Sequence, residues 1–265
     1  MRCPEVNVRG GTLFGEARGE GMDYLLLHAG GEDRTVWRPV MDALAAAGAS
    51  SAAYDQRGHG ESGGSKSDGV SAYGDDVAAM LAAQRGLPIV AGASLGGFAA
   101  ILALADPAVQ ARAAGLVLVD VVPVKDMERV RRFLRQLGPE IATSPLVENI
   151  LGQSDRIASA VAAIRLPILL VRAGDSGPVS DEDAAHLQAH CPHVQFARIA
   201  EAGHLVARDS PQRLAETLLE FRANMRAAAR QAIQPHGHPS AFRTRSIFHR
   251  RKRCPSPRNF SPSAL

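Results

Sequence analysis

Residues 89–99 read IVAGASLGGFA. An apolar run, Ile89-Val90-Ala91, gives way to Gly92-Ala93-Ser94-Leu95-Gly96, and a small-residue helical pattern follows at once. G-x-S-x-G between a strand and a helix holds a serine hydroxyl on a tight, strained turn at the top of a sheet. Glycine is needed at 92 and 96 because strand and helix pass close together there. The chemistry implied is nucleophilic attack by the Ser94 hydroxyl. A hydroxyl is a poor nucleophile, so it requires a base within hydrogen-bond reach and a third group to orient that base.

Nine histidines are available as the base. His204, in Glu201-Ala202-Gly203-His204, is the one that directly follows the last strand pattern. His186, His190 and His193 surround a surface-type helix, and His236, His238 and His249 lie in a polar C-terminal stretch. His28 and His59 belong to glycine-rich loops, where a structural hydrogen bond is an equal reading. Negative charge developing on a carbonyl oxygen needs two backbone N–H donors. Leu95, next after the nucleophile, supplies one, and Gly30 in His28-Ala29-Gly30-Gly31 is expected to supply the other.

Positioning these groups takes a sheet. Residues 5–20 alternate and break at Gly10-Gly11, the pattern of a β-hairpin. Continuous apolar runs at 23–28, 115–121 and 167–172 are of the kind strands show when both faces are covered. Further strands are expected at 50–54, immediately before the Ser94 turn, and at 193–199. Helical spacing over 36–47, 70–84, about 95–105, 181–190 and 211–229 separates them. Such alternation predicts an α/β fold: a mostly parallel central sheet of about eight strands flanked by helices. The interval 123–165 breaks the alternation, with helical patterns at 127–137, 145–151 and 157–164. It predicts a short helical cap between the sixth and seventh strands, lying over Ser94.

Composition agrees with one such domain. The chain has 265 residues, 46% hydrophobic and 22% charged. No apolar run approaches the roughly 18 residues of a membrane helix. Met1-Arg2-Cys3-Pro4-Glu5 opens no signal-peptide pattern. Cys3, Cys191 and Cys254 are odd in number and widely spaced, so free thiols and a cytoplasmic address are expected. The net charge of +3 is unevenly spread: 230–265 hold eight Lys or Arg and no acid, leaving 22 basic against 27 acidic residues in 1–229. The chain is therefore divided into a folded body, 1–229, and a basic, low-complexity tail, 230–265, expected to be disordered. The body gives no reason to expect nucleic acid. The tail, centred on Arg250-Arg251-Lys252-Arg253, is read as an adventitious extension rather than a nucleic-acid arm.

The pieces LLLHAGG (25–31), DQRGHGES (55–62), GASLGGF (92–98), GLVLVDV (115–121), PILLVRAGD (167–175) and EAGHLV (201–206) resemble the α/β-hydrolase superfamily in order and spacing. The resemblance is to its esterase and epoxide-hydrolase-like branch and spans about residues 5–225. It implies Ser94 as nucleophile, His204 as base, Gly30 and Leu95 as the oxyanion hole, and neither cofactor nor metal. It argues against epoxide hydrolase and haloalkane dehalogenase chemistry, because those relatives carry aspartate where this chain has Ser94. Asp55 and Arg57 resemble the family's structural D-x-R-G-H-G loop and are read as scaffold. Two positions depart from the family. Ala29 stands where glycine usually follows the histidine, which is tolerable unless that residue needs positive φ. After the seventh strand the family reads G-x-x-D, and counting from Gly174 puts Gly177 at the acid position.

Two replacements for the acid are open. Asp120 ends the sixth expected strand, where some members of the superfamily carry their acid, and it needs no loop distortion. Asp175 lies two residues early in the expected loop and would need that loop rearranged, so Asp120 ranks first. Asp181 and Asp183 read as first-turn helix acids. The substrate pocket is expected to draw on His28, Trp37, Phe133 and Leu134, with Val130, Leu137, Ile141, Leu146 and Ile150 along the cap. A small or medium hydrophobic ester is then the expected partner. Residues and resemblance together lead to a serine hydrolase that cleaves a carboxylic ester, thioester or lactone through an acyl-enzyme on Ser94. C–C bond hydrolysis and perhydrolysis would use the same site, and a non-catalytic ligand-binding member would suit a chain without the acid.

Overall fold

The computed structural model describes residues 4–123, 126–174 and 177–233. Its strands are β1 (Glu5–Val8), β2 (Gly11–Arg18), β3 (Tyr24–Leu27), β4 (Ser51–Tyr54), β5 (Ile89–Ala93), β6 (Gly115–Val119), β7 (Ile168–Arg172) and β8 (Val194–Arg198). They form one sheet in the order β1-β2-β4-β3-β5-β6-β7-β8. β2 pairs antiparallel with β1 and β4, and every other pairing is parallel.

The strands are apolar without alternation because the sheet is covered on both faces. Leu25 and Leu27 pack into the layer on one face and Leu26 into the layer on the other. The same division separates Leu116 and Leu118 from Val117 and Val119, and Ile168 and Leu170 from Leu169 and Val171. Two helical layers supply the cover. On one face lie α1 (Arg38–Ala46), reached through a 3-10 turn at Arg34–Trp37, and the closing helix of the chain, through Met41 and Leu218. On the other lie α2 (Val70–Ala83) and α3 (Leu95–Leu104), through Val77 and Ile101.

Past α3 come α4 (Pro107–Gln110) and then the cap, made of α5 (Met127–Leu137), α6 (Pro139–Ala142), α7 (Pro145–Gly152) and α8 (Ser154–Ala163). The chain ends its described part with α9 (Asp181–His190), α10 (Val206–Asp209) and α11 (Pro211–Ile233). The cap is fastened to the body. Asn149 of α7 accepts the Val70 N–H at 2.9 Å, capping α2 from outside, and α8 packs against α3.

Eight strands, mostly parallel, with a helical insertion between β6 and β7, are what the alternation predicts. The differences lie at helix ends. α4, α6 and α10 are single turns outside the expected helical patterns, and α4 and α6 each open on a proline suited to a first helical position. α8 begins at Ser154 rather than 157. Helix α11 continues through Ile233, four residues beyond the expected end at 229, because no helix breaker occurs before Pro235. Residues 4–227 belong to one compact unit. The basic tail proper, with Arg250-Arg251-Lys252-Arg253, lies outside the described residues, as do Cys3 and Cys254; Cys191 is a buried free thiol. Among the described residues, no helix is long and apolar enough to cross a membrane.

Asp55 and Arg57 take structural places. Asp55 is fully buried and accepts from the backbone N–H groups of Arg34 (2.7 Å) and Glu61 (2.9 Å), tying the β3 loop to the β4 loop. Arg57 donates to both oxygens of Asp76 on α2, at 2.8 and 2.6 Å. Burial pushes the Asp76 carboxyl above its usual range against the pull of Arg57, so desolvation is a large part of this pair. A buried pair of this kind adds little net stability, but removing one partner strands a charge. Asp76→Ala is expected to destabilise the protein by about 3–5 kcal/mol in urea unfolding. Glu216→Ala, which breaks the exposed Arg213–Glu216 pair, is expected to cost less than about 0.5 kcal/mol.

Candidate active site

Ser94 sits at the tip of β5 with φ 46° and ψ −111°, a left-handed conformation that side chains rarely adopt. Such strain costs roughly 1–3 kcal/mol and persists only where the surroundings impose it. Here they do. A Cβ at Gly96 would come within 2.6 Å of the Leu27 carbonyl oxygen, and one at Gly92 would collide with the backbone of Gly96. Strand and helix can approach so closely only with glycine at both positions, and the turn between them lifts Ser94 clear of the sheet.

At the tip of the adjacent strand β6 stands a second non-glycine residue with positive φ, Asp120, at 50°. Its backbone N–H donates to Val171 of β7 at 2.8 Å, and its side chain is 1% exposed. Oδ1 accepts the Ala173 N–H at 3.0 Å, and Oδ2 accepts from Nδ1 of His204 at 2.8 Å. A carboxylate accepts only, so Nδ1 carries the imidazole proton and Nε2 keeps its lone pair free to act as a base. The loop that carries His204 is itself held: Gly174 N–H donates to Ala202 O at 2.9 Å and Gly203 N–H to Asp209 Oδ2 at 3.0 Å. From the cap, the Phe133 ring meets the His204 ring edge to face, 5.0 Å between centroids at 77°.

Gly177, at the family's usual acid position, has the Asp120 carboxylate in the way of any side chain. A Cβ there would lie 2.7 Å from Asp120 Oδ2. Carboxylate at 120 and glycine at 177 are thus one feature. The alternative acid, Asp175, lies outside the described residues.

Ala29 N–H donates to Glu32 Oε2 at 3.2 Å and Gly31 N–H to His59 Nε2 at 3.2 Å. Between them, the Gly30 N–H has no hydrogen-bond acceptor among the described residues. The Leu95 N–H opens α3, where a helix has no acceptor of its own to offer. Ala29 is not among the positive-φ residues, so its methyl is tolerated.

Ser94, Asp120 and His204 line one cavity of about 80 Å³. Phe133 and Leu134 line it as expected, with Val130 and Ile150. His28 and Trp37 do not. His28 is fully buried beneath the loop, with Nδ1 on Ala29 O at 2.7 Å and Nε2 accepting the Gln56 N–H at 3.0 Å. Trp37 is fully buried in the layer beneath the sheet with Val40, Met41 and Leu44, because the 3-10 turn before α1 directs it inward. Leu137 and Ile141 are 48% and 38% exposed, beyond the end of the cavity, and Leu146 packs against the core.

Val121, Val122, Arg129, Val179 and Asp183 line the cavity without having been singled out for it. Arg129 was recoverable, since it precedes Phe133 by one helical turn and shares its face. Asp183 does cap α9 as a first-turn acid, accepting from Ser180 N and Oγ at 2.9 Å each, and it also pairs with Arg129.

This arrangement of strand tips, with the groups at the carboxyl ends of parallel strands and a cap between β6 and β7, defines a class. The family described as serine aminopeptidase, S33, matches over residues 24–143, from β3 through the elbow and Asp120 into the cap. The esterase Rv0045c of Mycobacterium tuberculosis is 29% identical over 249 residues, covering 75% of this chain and 82% of its own. Among solved structures, E-2-(acetamidomethylene)succinate hydrolase superposes with a TM-score of 0.70 at 22% identity, over 84% of this chain and 99% of that one. A haloalkane dehalogenase variant from Bradyrhizobium elkanii also gives 0.70, at 16% identity, over 86% and 98%. The chain has the α/β-hydrolase fold and is similar to hydrolases of that superfamily, an esterase among them.

Two outcomes follow from the site's geometry. Gly177→Ala is expected to push the Asp120 carboxylate off His204, and the downfield imidazole N–H resonance of that hydrogen bond should vanish while the fold persists. Burial pushes His28 down to about 4, against the hydrogen bond to Ala29 that raises it. An unfolded histidine binds its proton near pH 6.5, so stability from this residue is complete above that value. It is lost as pH falls toward 4, by about 3 kcal/mol in all. Urea unfolding from pH 7 to 4 should show this slope, and His28→Asn should flatten it by about one proton's worth.

Proposed function

We propose that the protein is a cofactor-independent serine hydrolase that cleaves carboxylic esters of small acyl groups through an acyl-enzyme on Ser94. The observation that carries the reading is the 2.8 Å bond between His204 Nδ1 and a buried Asp120, in the cavity that also holds Ser94. Nε2 of His204 takes the Ser94 proton as the hydroxyl attacks the ester carbonyl carbon. The oxyanion accepts the N–H groups of Gly30 and Leu95, each donor worth about 3–4 kcal/mol in the transition state. His204 then gives the proton to the leaving alcohol. Water, deprotonated by His204, attacks the acyl-enzyme and releases the acid, and Ser94 recovers its proton. The small cavity, walled by Phe98, Val122, Phe133 and Ile150, supports a short acyl group. The name of the Mycobacterium tuberculosis relative, an esterase, supports the same class.

Hydrolysis of p-nitrophenyl acetate and butyrate tests the reading, together with labelling by a fluorophosphonate probe. Ser94→Ala is expected to abolish both. Asp120→Asn is expected to lower kcat by about 10⁴, because the imidazole then loses its orienting acceptor. Asp175→Asn is expected to lower it by less than about tenfold, because Asp120 already accepts from His204 Nδ1. No turnover and no labelling in the native chain would sink the proposal. Equal losses from the two aspartate variants would remove Asp120 from its role.

A further inference from the structure

Among the described residues lining the Ser94 cavity, Arg129 is the only Lys or Arg. One of its terminal nitrogens pairs with Asp183 Oδ2, an oxygen that already accepts both Ser180 N and Ser180 Oγ at 2.9 Å. Its Nε is buried and has no acceptor among the described residues, although the side chain as a whole is only partly buried. A buried donor left unpaired is costly, and in a folded protein it calls for a partner. The rest of the wall is mainly aliphatic and aromatic, which strengthens any charged hydrogen bond formed there. Arg129 lies one turn before Phe133 on the same face of α5, and the Phe133 ring touches His204. One turn is about 5.4 Å along the helix. Arg129 and the ring that meets His204 therefore enter the cavity wall one helical turn apart.

We propose that Arg129 receives a carboxylate carried by the substrate, so that the preferred esters are half-esters of short dicarboxylic acids. This rests on the serine-esterase reading above and narrows its substrate class from apolar to anionic. The carboxylate supplies the acceptor that Nε lacks, in a charge-assisted bond of the kind arginine forms best. The apolar wall then holds the carbons between the two ends of the acid. Asp183 occupies one terminal nitrogen of the guanidinium and leaves its Nε open to a second acceptor.

The test compares monomethyl glutarate with dimethyl glutarate, which differ in one charge, and uses free glutarate as an inhibitor. In the native chain kcat/KM is expected to favour the monoester, through a lower KM, and glutarate is expected to compete with p-nitrophenyl acetate. In Arg129→Gln the ratio of the two kcat/KM values is expected to fall about tenfold to a hundredfold, the range of a charged hydrogen bond. Arg129→Lys should recover part of it. Equal kcat/KM for the two esters without glutarate inhibition would overturn the proposal. So would an Arg129→Gln variant that slows both esters alike, which would make Arg129 a fastener between α5 and α9. If that variant does not fold, the native ester preference and glutarate inhibition decide. If no ester is turned over and the probe does not label Ser94, the esterase reading itself fails. Arg129 is then judged by whether glutarate raises the melting temperature of the native chain more than the uncharged glutaramide does.

Discussion

The buried carboxylate of Asp120 is the constraint on which the site turns. It stands at the end of a central strand, out of water, with positive φ, and accepts from Ala173 N–H and His204 Nδ1. An ionised group so placed is tolerable only with its lone pairs occupied. The strand β7 and the loop after β8 must therefore come to it, and both do. The same carboxylate dictates glycine at 177, since it fills the space where a side chain would begin. Where the sequence has glycine at the family's acid position, a carboxylate at the end of the neighbouring strand hydrogen-bonds the histidine. A non-catalytic role draws its support from the glycine at 177, and this hydrogen bond weighs against it.

Two strained residues side by side, Ser94 and Asp120, show how the sheet supplies the geometry. Each is the first residue after a strand buried on both faces, and each sits in a conformation its side chain disfavours. The strands beneath are rigid because Leu118 and Val119, like Gly92 and Ala93, are locked between two helical layers. Strain at the tips is sustained by order below them. The Arg34–Asp55 pair fixes the β4 loop against the β3 loop, where the Gly30 N–H has no acceptor among the described residues, and Arg57–Asp76 ties the β4 loop to α2.

The body was legible because its signals are local and redundant. Unbroken apolar runs mark doubly covered strands, the G-x-S-x-G turn has one structural solution, and a histidine directly after the last strand has one place to go. Asp120 was legible by a different argument, its position at a strand end, but the collision between its carboxylate and position 177 was not. That contact joins residues far apart in the chain. His28 and Trp37 mark the opposite failure. Both border the catalytic loop in sequence, yet one hydrogen-bonds under it and the other turns into the core. Proximity in the chain to a functional loop says nothing about which side of the backbone a ring occupies.

The cap is where periodicity runs out, for a physical reason. Val130, Phe133, Leu134 and Leu137 of α5, followed by Ile141 of α6, form an apolar stripe in the sequence, and its first three members line the cavity. It cannot say how far the cavity extends beneath it, because that length is set by the helices and loops opposite, namely α7, α9 and the loop after β7. The cavity ends after Leu134, and the last two members of the stripe are left exposed. At the other end of the same face it reaches Arg129, a charge that a search for apolar periodicity passes over. The candidate reactive groups stand on the strand tips, where close packing fixes them and the glycines reveal them. The face of the cap helix above them carries one charged residue within an apolar surface, and no periodicity marks it.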